Sequence, residues 1–108
     1  MKENNFKIIY KILSELETAM DDESIDKNKI NAKAFEITEN RWKAILKMLI
    51  DDDYIKGVSM KSYDNSYIVI GLENAKITLK GLEYLSENSI MKKIARGAKA
   101  LVDVAPKI

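Results

Sequence analysis

Asp22, Ser24, Asp26 and Asn28 alternate oxygen-bearing side chains, the spacing that a calcium loop uses. Such a loop also needs Gly at its sixth position and a bidentate Glu at its twelfth. Those positions hold Lys27 and Lys33, so the stretch reads as a solvated loop. Asp51, Asp52 and Asp53 gather three carboxylates where a helix is expected to end, and the helix dipole disfavours them there. No phosphate-binding loop or second acidic cluster accompanies them, so no metal is expected. The 108-residue chain has no Cys and no His. Its Ser and Tyr hydroxyls therefore lack the commonest general base, and a Ser–Lys pair is the one nucleophile arrangement left open. The expectation is a non-enzyme without a cofactor.

A second group of residues suits recognition rather than catalysis. Asn40, Arg41, Lys43, Ala44 and Lys47 fall within one stretch of helical period. Asn can read adenine and Arg guanine through paired hydrogen bonds, and Lys can meet phosphate. Ala44 keeps that face low enough for close approach. Lys56, Lys61 and the Asp64-Asn65 tip would lie on a neighbouring hairpin. Glu39 and Asp51 lie on or beside the same helix and oppose an anionic partner, so an ordinary solvated helix face is the competing explanation.

The elements that must hold these side chains follow from hydrophobic period. Phe6, Ile9, Leu13, Leu16 and Met20 predict a helix over 5–20, with Ile8, Ile12 and Ala19 widening its apolar stripe. After a polar connection, Asn31 is placed to cap a short helix held by Ile30 and Phe35. Thr38 is the next N-cap. Trp42, Ile45, Leu46 and Leu49 then repeat at i, i+3, i+4, i+7 on one face of a helix to about Asp52. Between Tyr54 and Leu72 the period becomes that of strands around a turn at Asp64 to Ser66, which predicts a hairpin. Gly57 and Gly71 mark bends or close backbone approach. Thr78 should cap the following helix, and Gly81 should leave room for that helix to approach a neighbour. Asn88-Ser89 ends it. Ile90, Ile94, Ala98, Leu101 and Val102 make the apolar stripe of a last helix.

Two segments carry a family resemblance. "ITENRWKAILKMLIDDDYIKGV", residues 37–58, resembles the third helix and first wing strand of small bacterial winged-helix proteins. "ITLKGLEYLSENS", residues 77–89, resembles the strand-to-helix junction that follows the wing. Over about residues 5–104 the chain is similar to the YjcQ-like family of short, phage- or prophage-associated bacterial proteins. The resemblance implies an α+β, mostly helical fold: a winged helix-turn-helix of three helices, a β-hairpin wing and two C-terminal helices. By analogy it suggests nucleic-acid binding, although one fold serves many functions.

Length argues for one domain, residues 1–108, with a core over about 5–88 and an amphipathic helix over about 89–105. The apolar fraction of 46% and charged fraction of 32% are those of a globular protein. No apolar run is long enough for a membrane span, and the polar first five residues lack the core of a signal peptide, so a cytoplasmic location is expected. The net charge of +1 hides an asymmetry. Residues 89–108 carry five basic side chains against one acidic, net +4, while the rest carry 13 against 16, net −3. Two functions stay open. One is weak, regulator-like binding of duplex DNA. The other is a protein-interaction module or a homodimer through Ile90, Ile94, Ala98, Leu101 and Val102.

Overall fold

The computed structural model describes residues 4–88. Among the described residues, four α-helices and two small antiparallel sheets make an α+β fold in which helix predominates. The expected last helix, with Ile90, Ile94, Ala98, Leu101 and Val102, lies outside the described residues.

Helix α1, Asn5–Thr18, starts at Asn4, whose side chain accepts from the Lys7 amide at 2.9 Å. It continues into a 3-10 turn at Ala19–Asp21. Ile8, Ile12 and Leu13 are fully buried, because α1 packs against the helix Glu39–Asp51, the strand Lys76–Ile77 and the helix Leu79–Glu87. The stripe is thus centred on Ile8, Ile12, Leu13 and Leu16. Its expected ends, Phe6 and Met20, are 63% and 60% exposed. Each borders a surface cavity rather than the packed interior.

Asn31 caps the single turn of α2, Ala32–Phe35, by accepting from the Ala34 amide at 2.9 Å. Glu36 reverses the chain in the left-handed region, φ 57°. Thr38 then caps α3, Glu39–Asp51, accepting from the Arg41 amide at 3.1 Å. Trp42, Ile45, Leu46 and Leu49 are buried, as their spacing requires. Trp42 also donates its indole N–H to the Ile30 carbonyl at 2.7 Å, which ties α3 to the segment before α2.

The expected hairpin forms in two sections. Strand β2, Ser59–Tyr63, pairs with β3, Ser66–Ile70, around a tight turn. Asp64 and Asn65 both have positive φ, 50° and 65°, the signature of a type I′ turn. Closer to the core, β1, Ile55–Lys56, pairs with β4, Lys76–Ile77. Between the sections Leu72–Asn74 form a 3-10 turn. Gly57 permits this break: its φ is +85°, and a Cβ there would lie 2.2 Å from the Asn74 carbonyl oxygen. The chain then enters α4, Leu79–Glu87, where Thr78 accepts from the Gly81 amide at 3.0 Å. The Thr78 hydroxyl donates to the Asp53 and Tyr54 carbonyls, so one side chain fastens α4 to the end of α3.

Candidate nucleic-acid interface

Alternation along β2 and β3 gives the hairpin two faces. Met60, Ser62, Tyr67 and Val69 share one face; Ser59, Lys61, Tyr63, Ser66, Ile68 and Ile70 share the other. Met60 and Val69 are half-buried against the core. Their side of the ribbon therefore turns toward the protein, and its tip leans beside the polar face of α3. A groove of about 330 Å³ lies between them. Asn40, Lys43, Ala44 and Lys47 line it from α3, and Asn65, Ser66 and Tyr67 line it from the hairpin.

Five of the eight sequence candidates meet here: Asn40, Lys43, Ala44, Lys47 and Asn65. They come together because burial of Trp42, Ile45, Leu46 and Leu49 leaves the opposite α3 face outward, and the type I′ turn brings Asn65 alongside. Tyr67 was not anticipated. It reads as one more apolar residue of a strand, but the residue is 39% exposed, and the Lys47 ammonium stands 5.5 Å from the ring centroid. The strand alternation that puts Tyr67 on the face of Met60 was the available signal.

Three candidates stand elsewhere. Arg41 donates from Nε to the Asn5 side chain at 2.9 Å and so joins α3 to the first turn of α1. Lys61 is cross-strand to Ile68, on the hairpin face turned away from Tyr67. Lys56 lies in β1, not on the hairpin tip, and lines a different cavity.

Lys47 also pairs with Asp51, Nζ to Oδ2 at 3.0 Å. That hydrogen bond, with the attraction of the same carboxylate, holds the Lys47 ammonium above its usual 10.5. The pair is exposed and open to salt screening, so an incoming phosphate can compete for Lys47. Ala44 supplies the floor between the two lysines. The groove therefore offers two ammonium groups, two amide side chains and one partly exposed aromatic ring. Among the described residues, no cluster of three or more Asp or Glu could hold a metal ion, and no helix is long and apolar enough to cross a membrane.

The family model described as YjcQ protein matches residues 10–104. The chain belongs to the YjcQ family. The match takes in every element from the middle of α1 to α4 and both walls of the groove. No curated protein and no solved structure gives a significant match. The family membership carries no assigned activity for the groove, so its chemistry rests on the residues of this YjcQ-family chain.

Proposed function

We propose that the chain is a winged-helix protein that binds duplex DNA weakly, in a regulator-like role and without enzymatic activity. In this reading α2 and α3 form the helix-turn-helix, joined by the three residues Glu36 to Thr38. The β2–β3 hairpin is the wing. The observation that carries the proposal is the convergence of Lys43, Lys47, Asn40 and Asn65 on one groove between α3 and the wing tip. Helix α3 would enter the major groove, where its N-terminal part meets base edges. Asn40, in the first turn of α3, is the base reader; Lys43 and Lys47 meet phosphate. Asp51 and a net charge of only +1 keep the attraction modest.

The test compares the full chain with a Lys43→Ala/Lys47→Ala variant on random duplex DNA across a salt series. Retention should fall with salt for the full chain, because phosphate contacts release counterions. The double variant should flatten the log–log slope by about 2, roughly 1 per lysine. Equal slopes would reject the site. Arg41→Ala is the wrong probe, since its loss would loosen α1 from α3.

A second reading is a protein-interaction module. The outer hairpin face favours it: Tyr63, Ile68 and Ile70 are all exposed, Ile68 and Ile70 by 44% and 47%. A two-stranded ribbon also offers open edges for pairing. If this reading holds, the charge-neutral Ile68→Ser/Ile70→Ser should lower the solution mass measured by light scattering and leave DNA retention unchanged.

A further inference from the structure

A second cavity, of about 350 Å³, lies on another part of the molecule, between the C-terminal end of α1 and the β1–β4 pair. Its volume is within the range of small-molecule sites, about 300–1,000 Å³. Leu16, Ile25 and Ile77 form an apolar floor, and all three are buried. Met20 stands at the edge, 60% exposed on the 3-10 turn that ends α1.

Lys56 and Lys76 complete the lining. They are directly opposite one another across the two strands. Like charges so placed repel and weaken the pairing, and this pair of strands is only two residues long on each side. Among the described residues neither lysine has an ion pair or hydrogen bond that would offset the repulsion. Glu73, close by in sequence, is turned to Lys27 at 4.0 Å. Two lysines without an ion partner among the described residues, lining a cavity with an apolar floor, complement one chemical pattern: an oxyanion joined to an apolar body.

We infer that this cavity binds a small anionic amphiphile, whose carboxylate or phosphate head bridges Lys56 and Lys76 while its apolar body lies on Leu16, Ile25 and Ile77. An anion between the lysines relieves their repulsion. Burial of the tail covers the floor, with Met20, unbranched and adaptable, closing over it. Neither half suffices alone. The lysines without the floor would take any anion, and the floor without the lysines would take any apolar molecule.

The methionines report on the cavity. Met20 lines it, whereas Met48 is on α3 and Met60 is in the hairpin. The full chain, carrying 13C-labelled methionine methyl groups, is titrated with octanoate, octyl phosphate and 1-octanol. The Met20 signal should move saturably with octanoate, octyl phosphate or both, and the better of the two identifies the head group. Octanol should bind about tenfold more weakly or worse, a gap of about 1.4 kcal/mol. Lys56→Gln/Lys76→Gln alters only exposed side chains, so its spectrum should stay that of the folded protein, and it should take the anions no better than octanol. The inference is overturned by the absence of a saturable Met20 shift, or by equal movement of Met20, Met48 and Met60. A double variant that keeps its preference for the anions would also overturn it. So would saturation by a short acidic peptide where both octyl compounds fail, which would assign the lysines to a protein partner.

Discussion

Gly81 is buried in the first turn of α4, and a methyl group there would lie 2.6 Å from both the Tyr54 carbonyl oxygen and Ile77 Cγ1. Helix propensity favours Ala over Gly by about 1 kcal/mol. Overpacking against backbone, which cannot swing aside, costs about 1–3 kcal/mol. Gly81→Ala should therefore lower the urea midpoint, against the direction that propensity alone would give. Tyr84 makes a different kind of test. Partial burial, and to a lesser extent the neighbouring Tyr54, hold its phenol above the ordinary 10.0. The two rings meet edge to face with centroids 5.6 Å apart. The folded state keeps the Tyr84 proton more tightly than the unfolded chain does. Its contribution to stability is complete below pH 10.0 and is lost as pH rises through and beyond that value. Thermal melts compared at about pH 8 and about pH 11 should show a smaller drop in Tm for Tyr84→Phe than for the parent.

Helix α3 depends on one side chain for two attachments. Trp42 fills the core beside Ile45 and Leu46, and its indole N–H satisfies the buried end of the Ile30 carbonyl. Trp42→Ala should destabilise the protein by about 3–5 kcal/mol in chemical denaturation. Trp42→Phe restores much of the volume but leaves that carbonyl without its donor, a residual cost of about 1–3 kcal/mol. The groove follows from the same anchoring, because the rotation of α3 that buries Trp42 aims Lys43 and Lys47 outward. The hairpin was legible by its alternation and by Asp64-Asn65, which tolerate positive φ. Its division into two ribbons was not. That depends on the approach of Gly57 to the Asn74 carbonyl, a contact between residues 17 positions apart.

The buried cluster of the described residues runs from Ile8 to Leu85. A chain ending at Asn88 should still unfold cooperatively in a thermal melt. Comparing its mass by light scattering with that of the full chain tests whether Ile90, Ile94, Ala98, Leu101 and Val102 hold two copies together: a full-length dimer should become a shortened monomer. Local chemistry determined much of this protein. The caps at Asn31, Thr38 and Thr78, the buried face of α3 and the place of the hairpin turn each depend on residues within a few positions of one another, so period and side-chain type suffice to read them. Tertiary structure alone decided which charges became neighbours. Arg41 lies next to Lys43 in sequence, yet it is spent on Asn5 of α1. Tyr67, 20 residues from Lys47, comes under its ammonium. Lys56 and Lys76, also 20 apart, stand opposite one another across two short strands and line one cavity. Charged side chains on a surface are positioned by the packing of the elements beneath them, and that packing follows from the sum of buried apolar contacts across the whole fold rather than from any local pattern.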